Sequence, residues 1–364
     1  MELTKCKLGE LITQRREKND GSVLPICGVS KDGLIPPKQV DADTSIYNVF
    51  YRDDFIFNPA RMELNSIAIN DKHDRAICSS LYEVFYVHRT DLLLPHYLKL
   101  IVKQKWFTCY CEFLGQGSAR EYCRFNNISE IEVEFPPIEV QRKIVDYYNS
   151  LQERIEIKRQ INDNLEAQAE AMFTSATNGS GLLRPLGSFG TVITGKTPST
   201  DVPEFYGNDI PFVKTPDMHG NVYITSSEGS LSTLGADSQR NKYLPPNTLI
   251  VACIGANAGE VAITSFPSQT NQQINAIISE KPCFLYFSVK AHTTELRALG
   301  EGSSTMININ KTSFENYEIP TLNESELSLL EIRLQKIFDV ILANLREIDK
   351  LSEIKDIIVT HLSC

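Results

Sequence analysis

A chain of 364 residues with a net charge of −10 has room for two or three domains with sizeable cores. Its apolar fraction of 42% and charged fraction of 23% are ordinary for a globular protein, and no apolar run is long enough to span a bilayer. The N-terminal MELTKCKLGELI lacks the apolar core of a signal peptide. The nine cysteines are scattered as in a reducing compartment, so a cytoplasmic location and no membrane association are expected.

The first block opens on Leu8-Gly9-Glu10, followed by a polar run that holds Arg15, Arg16 and Lys18. Residues 66–70 and 81–87 read as strands, the latter from its aromatic and β-branched side chains. Residues 95–107 read as one helix with Leu98, Ile101, Val102, Lys105 and Trp106 on a mostly apolar face. A glycine loop at 115–118 follows, and 128–135 alternates as a strand leading into a long helix.

From Pro137 to Phe173 there is no further proline or glycine, and Ile144, Tyr148, Leu151, Ile155, Leu165, Ala169 and Met172 form a narrow seam that also takes in Lys158 and Asn162. Such a seam needs a partner helix. Leu330, Leu334, Ile337, Ile341, Asn344, Ile348, Leu351, Lys355, Ile358 and Leu362 repeat it at the C-terminus. After a helix stop at 177–181, the second block restarts at Pro185-Leu186-Gly187. It has strands near 248–254 and 260–264, a helix across 283–298 and a loop at 300–305 that echoes 115–118. Glu318-Ile319-Pro320 then echoes Glu134-Phe135-Pro136.

The order of signals is the same in both halves, which reads as a duplication. The expected fold is α+β, with two similar globular domains joined by two long antiparallel helices that form a coiled-coil spacer with a pseudo-two-fold axis. The expected boundaries are 1–136, 137–175, 183–319 and 320–364. About 35 helical residues at about 1.5 Å each give a rod of roughly 50 Å. Pairing the seams end to end sets Lys158 opposite Asn344, a polar layer suited to fixing register; the alternative is that both tilt outward into water. Residues 137–173 hold 5 Lys/Arg against 7 Asp/Glu and 318–364 hold 5 against 9, so six of the ten excess negatives lie on the helices. Each block is near neutral, and strong DNA affinity by the chain alone is not expected.

Catalytic signatures are weak. Asn58-Pro59-Ala60-Arg61 reads as a turn that leaves Arg61 exposed, rather than as the amide acceptor of a methyltransferase. Gly115-Gln116-Gly117 and Gly195-Lys196-Thr197 lack the further glycines of phosphate loops. Glu156 with Lys158, and Glu353 with Lys355, have the residue types of half a nuclease site but sit where helices carry ordinary surface charge. Cys109, Cys111 and Cys123 lack a fourth ligand for zinc and read as structural thiols, and the six histidines are dispersed. No catalytic residue, resident cofactor or metal is assigned.

Several stretches resemble the DNA-specificity subunit of type I restriction–modification systems. They are 57–70 (FNPARMELNSIAIN) and 79–87 (SSLYEVFYV) in the first block, and 249–263 (LIVACIGANAGEVAI) and 270–278 (TNQQINAII) in the second. The entry to the first long helix, Phe135-Pro136-Pro137-Ile138 with Gln141 and Ile144, belongs to the same resemblance; the second helix lacks an evident counterpart of Gln141. The resemblance implies two target-recognition domains, each reading half of a bipartite asymmetric site on double-stranded DNA, with the helices as a ruler. It implies partners too: two copies of an adenine methylation subunit docked on the helices and carrying S-adenosylmethionine, and an optional restriction subunit.

Base reading favours Arg or Lys facing guanine and Asn or Gln facing adenine, on loops held by a rigid scaffold. The candidates are Arg15, Arg16, Lys18, Lys31, Arg61, Arg75, Arg120 and Arg124 in the first block. In the second they are Lys196, Lys214, Arg240, Lys242 and Lys311, with Gln272 and Gln273 as adenine readers. The competing role is solvated surface for the cations, and closure of a strand end for the two glutamines. The rival function is a non-catalytic adaptor whose two domains bind proteins and whose helices are only a spacer.

Overall fold

A computed structural model describes residues 3–31, 33–37, 43–115, 122–301 and 307–362. They divide into two compact units, Met1–Arg154 with Leu351–Cys364, and Ile155–Lys350.

The first unit contains two four-stranded sheets. One orders Ile12–Arg15, Glu83–Val87, Phe55–Phe57 and Ile67–Ile69; the other orders Gly33–Ile35, Ile26–Ser30, Arg75–Cys78 and Asn48–Tyr51. The core is aromatic: Phe55 and Phe85 stack at 5.0 Å, with Phe57 edge-on to Phe85. Helix α1 (Pro95–Ile101) packs Tyr97, Leu98 and Ile101 into the same cluster. The helix expected over 95–107 is in fact two, because Gln104 turns its amide to the Val359 carbonyl at 2.5 Å and its own carbonyl starts α2 (Lys105–Gly115). The strand expected over 128–135 is shorter than its alternation. The Asn127 side chain accepts from the Arg124 amide at 2.9 Å and caps α3 (Phe125–Ser129), leaving Glu132–Phe135 as strand.

In the second unit the main sheet orders Gly190–Thr194, Ile274–Ser279, Leu249–Ala252, Val261–Thr264 and Tyr223–Ile224, beside a three-stranded sheet built on Tyr206–Val213. The short helix α5 (Thr233–Asp237) is capped by Ser232. The single helix expected over 283–298 is broken at His292 into α6 (Pro282–Ala291) and α7 (Thr293–Ala298); His292 leaves helical geometry there and its ring bonds the Ser288 carbonyl at 2.8 Å. Helix α8 (Lys311–Asn316) is capped by Asn310.

Both units close in the same way. Thr4–Lys7 pairs antiparallel with Glu132–Phe135, and Leu182–Pro185 pairs likewise with Glu318–Thr321. The residue after each ribbon is a fully buried leucine, whose amide bonds the chain just ahead of the closing strand: Leu8 to Ile131 O at 2.8 Å, and Leu186 to Tyr317 O at 2.9 Å. The following glycine is then explained. A Cβ on Gly9 would meet Ser129 at 3.0 Å, and one on Gly187 would meet Glu315 at 3.2 Å. The Leu-Gly repeat thus marks the same close approach in both ribbons.

Helix α4 (Ile138–Thr177) leaves the first ribbon and α9 (Glu324–Thr360) leaves the second. Pro137 begins α4, and Gly179, in the left-handed region at φ +78°, ends it. Asn323 begins α9 by accepting from Glu326 N at 3.0 Å. Each helix contributes to both units. In the second unit they run antiparallel, since Lys158 meets Glu347 while Asn162 meets Asn344. Seam residues Ile155, Ala169, Leu334 and Ile341 are buried, joined by Phe338, which takes Tyr223, Tyr286 and Phe287 edge-on. The architecture is α+β, with two similar sheet-bearing parts joined by two long antiparallel helices.

Gln141 and Glu331 show how each helix holds its unit. Gln141 is fully buried: its amide donates to the Leu92 and Pro136 carbonyls at 2.7 and 2.8 Å, and its oxygen accepts from Leu94 N at 2.9 Å, just ahead of α1. On α9 the corresponding work falls to Glu331, whose carboxylate accepts from Cys283 N and Phe284 N at 3.0 and 2.8 Å in the first turn of α6. The counterpart missing from the sequence pattern is thus an acid further along the helix. A carboxylate suits a helix N-terminus, where amides lack partners and the dipole is positive.

Candidate nucleic-acid interface

In the first unit a cleft of about 760 Å³ lies between the strands Ile26–Ser30 and Gly33–Ile35, the segment around Asn58 to Ser66, and Ser79 to Tyr82. The Asn58 side chain accepts from Ala60 N at 3.1 Å, and Pro59 opens a short 3₁₀ segment, Pro59–Leu64. Arg61 departs from helical geometry within it, and Asn65 closes it in the left-handed conformation at φ 53°. Met62 anchors the segment in the core while Arg61 lines the cleft, exposed and with no side-chain partner among the described residues. Lys31 lines the same cleft, and so do the exposed Leu64 and Leu81, the latter 79% accessible. Tyr47, Tyr82 and Ser79 add hydroxyls.

Other first-block candidates already have partners. The Arg15 guanidinium makes a fork to Asp54 at 2.6 and 3.1 Å and lies 4.7 Å from the ring centroids of both Tyr51 and Tyr86. Burial pushes the Asp54 carboxyl above its ordinary range, against the opposing pull of Arg15 and the Tyr51 amide. Lys18 bonds Asn48 Oδ1 at 2.7 Å and the Ile46 carbonyl at 3.0 Å. Arg75 faces Glu17 and Asp20 at 3.5 and 3.4 Å, and Arg124 bonds Glu83 at 3.0 Å while lying over Tyr122. Arg16 is exposed and, among the described residues, its side chain bonds Gln14 at 2.8 Å. Arg120 lies outside the described residues, as do 116–121 and 302–306, which form most of the two echoing glycine loops.

In the second unit three loops converge. Lys196 N bonds Thr270 O at 2.9 Å, Asn271 N bonds Val213 O at 3.3 Å, and the Gln239 amide holds the Lys196 carbonyl at 2.7 Å. A Cβ at Gly195 would lie 2.1 Å from the Asn271 carbonyl, so only glycine allows this approach. Lys196 and Lys214 are exposed here. Gln272 accepts from Thr197 Oγ1 at 2.7 Å, leaving its exposed amide group outward, whereas the Gln273 oxygen accepts from Asn271 and Thr215 at 3.0 and 3.5 Å. Lys242 bonds the Thr194 carbonyl at 2.9 Å, Arg240 pairs with Asp237 at 2.7 Å, and Lys311 pairs with Glu315 at 3.3 Å.

Where the long helices meet in the second unit, Lys158 Nζ lies 2.8 Å from both Asn344 Oδ1 and Glu347, and Asn344 Nδ2 donates to Asn162 Oδ1 at 2.8 Å. Lys355 bonds Gln152 in the first unit. Cys111 and Cys123 are buried together, and the neighbouring thiol and burial hold Cys111 far above its ordinary range, while Cys109 is exposed. Among the described residues no cluster of three or more His, Cys, Asp or Glu is arranged to hold a metal ion, and no helix is long and apolar enough to cross a membrane.

The described residues thus form two sheet-bearing parts, each with polar side chains exposed on loops braced by buried strands. The family model described as Type I restriction modification DNA specificity domain matches the chain twice, over residues 14–167 and 183–354, and the chain belongs to that family. It is similar to the type I restriction enzyme HindI specificity subunit of Haemophilus influenzae, at 29% identity covering 75% of this chain and 77% of that protein. The MjaIX specificity subunit of Methanocaldococcus jannaschii is 27% identical over 44% of this chain and 38% of that protein. The crystal structure of the type I restriction–modification S subunit from M. genitalium superposes with a TM-score of 0.65 at 12% identity, covering 100% of this chain and 96% of that one, and so shares the fold. The chain is a DNA-sequence-recognition subunit that works in a complex with other restriction–modification subunits and is not itself the catalyst.

Proposed function

We propose that the chain reads a two-part asymmetric site on double-stranded DNA, one half with each globular part (1–136 and 183–319), and that it directs a separate adenine methylation subunit to that site. The carrying observation is the cleft of the first unit. There Arg61 and Lys31 stand exposed beside Leu64 and Leu81, while neighbouring cations are tied to carboxylates. An arginine fork matches guanine O6 and N7, and an exposed leucine suits a thymine methyl. In the second half the matching roles go to Lys196, Lys214 and Gln272. Lys158 and Asn344 fix the register of the helix pair, and Arg16 contacts phosphate.

The methyl donor, S-adenosylmethionine, binds the partner. Two copies of that partner dock on the helical segments 137–175 and 320–364. The exposed Ile157, Ile161, Leu329, Ile332 and Val340 support an apolar docking surface there. The assembly is cytoplasmic, and a restriction subunit is an optional further member of it.

Genome-wide adenine methylation with the chain intact, deleted, or carrying Arg61→Ala tests this reading. A bipartite motif that vanishes on deletion, and relaxes in one half only for Arg61→Ala, is expected. A methylation pattern unchanged by deletion would favour the adaptor instead.

A further inference from the structure

In the second unit, the turn at 194–196 is held by two separate segments. The Gly195 and Lys196 amides donate to the Ile274 and Thr270 carbonyls at 3.0 and 2.9 Å. The Thr194 carbonyl accepts from Lys242 Nζ at 2.9 Å, and the Lys196 carbonyl accepts from Gln239 Nε2 at 2.7 Å. Both carbonyl clamps come from one short stretch, in which Gln239 precedes the 3₁₀ turn Arg240–Lys242. Asp237 ties that stretch in place, accepting from Arg240 at 2.7 Å and from the Tyr243 hydroxyl at 3.2 Å.

Gln239 is buried, and both of its side-chain hydrogen bonds come from Nε2. The second goes to Oε1 of the fully buried Gln269 at 2.7 Å, whose own amide donates to the Ala236 carbonyl at 2.9 Å. Two oxygens facing Nε2 fix which way the Gln239 amide points. Its Oε1 is then buried without a hydrogen-bond partner among the described residues, which is unfavourable. The same amide, however, bridges the Lys196 turn to the strand Gln269–Thr270, which runs parallel to Tyr206–Val213 just ahead of Lys214.

A lysine reaches out on a flexible stem, so what the fold can fix is its point and direction of departure. The turn also orients a second candidate reader, because Thr197 Oγ1 donates to Gln272 Oε1 at 2.7 Å. We propose that Gln239, with Lys242, is a positioning residue for base reading in the second recognition part. It touches no base; it fixes the turn from which Lys196 and Gln272 reach the DNA. Lys242 acts through the Thr194 carbonyl and not on the duplex. This assignment rests on the proposed role of that part in reading half of the site.

The test uses the full chain together with its methylation subunit. Lys196→Ala and Gln272→Ala first locate, in the genome-wide adenine methylation pattern, the motif positions that the turn governs. Gln239→Met keeps the side-chain length and removes the donor. It should relax those positions and leave the other half of the motif as it is. In competition binding, the penalty for one mismatched base pair there, roughly tenfold in wild type, should shrink to about twofold. A merely structural role would instead lower Tm and the extent of methylation with the motif intact. Lys242→Met guards against a folding defect, since Lys242 is only half-buried. It should relax the same positions, and Lys242→Arg, which keeps a donor, should restore the wild-type motif. A motif unchanged in Lys242→Met, or in a folded Gln239→Met, would overturn the positioning role and leave DNA recognition standing. Relaxation confined to the half that Arg61→Ala alters would do the same. An intact motif in both Lys196→Ala and Gln272→Ala would overturn it too, because the turn would then carry no reader. A methylation pattern unchanged when the chain is deleted would overturn the recognition role itself.

Discussion

Replacing both asparagines of the helix-pair polar layer with leucine should leave the protein more stable than the two single replacements together predict. Asn162 and Asn344 are 8% and 7% exposed and bond each other at 2.8 Å. In Asn344→Leu the buried Asn162 oxygen loses that donor, at about 1–3 kcal/mol, while the new leucine returns about 1.5–3 kcal/mol of burial. Lys158 gives up its bond to Asn344 but keeps Glu347 at 2.8 Å, so its charge stays paired. Asn162→Leu strands the Asn344 amide in the same way. The double leucine variant strands neither group and buries two apolar side chains. The two substitutions should therefore couple by about 2–3 kcal/mol, with the double variant at least as stable as wild type. At about 2–4 °C per kcal/mol for a unit of this size, the coupling appears as roughly 5–10 °C in Tm across a four-member cycle. Additivity within about 0.5 kcal/mol would refute the argument, because independent sites behave that way.

Gln141→Ala removes three hydrogen bonds from a fully buried amide and should destabilise the first unit by about 2–4 kcal/mol, read as a fall in Tm. Arg15→Ala leaves the Asp54 carboxylate, 2% exposed, without its cation, so it should cost about 3–5 kcal/mol and abolish methylation through misfolding. Arg61→Ala should leave Tm within about 1 °C and change one half of the motif, because surface substitutions away from structural partners typically shift stability by less than ~0.5 kcal/mol; equal thermal losses in the two arginine variants would sink the distinction. Glu331 gives a pH test. Burial raises its pKa above 4.5 against the pull of the Cys283 and Phe284 amides, so the folded state holds its proton more tightly than the unfolded chain does. That contribution is fully present below pH 4.5 and is lost as pH rises through the folded pKa. Glu331→Gln cannot titrate, so its Tm relative to wild type should climb from pH 4.5 upward; a flat difference between pH 4 and 7 would contradict the sign.

The helices were legible because period is a one-dimensional property. Ile155, Leu334 and Ile341 recur at a spacing that needs no tertiary information, and their burial follows from it. The duplication was legible for a similar reason, since the Leu-Gly pairs at 8–9 and 186–187 serve a local closure that tolerates little else. The breaks at Val102 to Gln104 and at His292 were not, because each depends on a side chain finding a distant or folded-back carbonyl: Gln104 reaches Val359, and His292 reaches Ser288. Glu331 was hidden for a different reason. A charged side chain does the work of Gln141 from another position on its helix, so the spacing of Gln141 does not point to it. Candidate DNA readers were the least legible, since a cation's sequence neighbours do not reveal whether a carboxylate remote in sequence will claim it.

Such remote pairing has a physical consequence for a protein of this kind. A recognition surface must carry positive charge, yet in this chain of net charge −10 carboxylates hold several of the candidate cations. Asp54 is 39 residues from Arg15, and Glu83 is 41 from Arg124; each removes an arginine from the pool that composition alone would assign to DNA. Arg61 and Lys31 in the cleft of the first unit, and Lys196 and Lys214 in the second unit, stand exposed instead. Binding that relied on a few exposed cations would gain little from arbitrary DNA, and discrimination would then rest on base edges rather than bulk attraction. Adding cations at random on the acidic helices should therefore raise affinity for every duplex and lower the preference for the motif. Competition binding with excess unrelated DNA reads that preference, and a selectivity that survived such additions would show that the scarcity of free charge has no bearing on it.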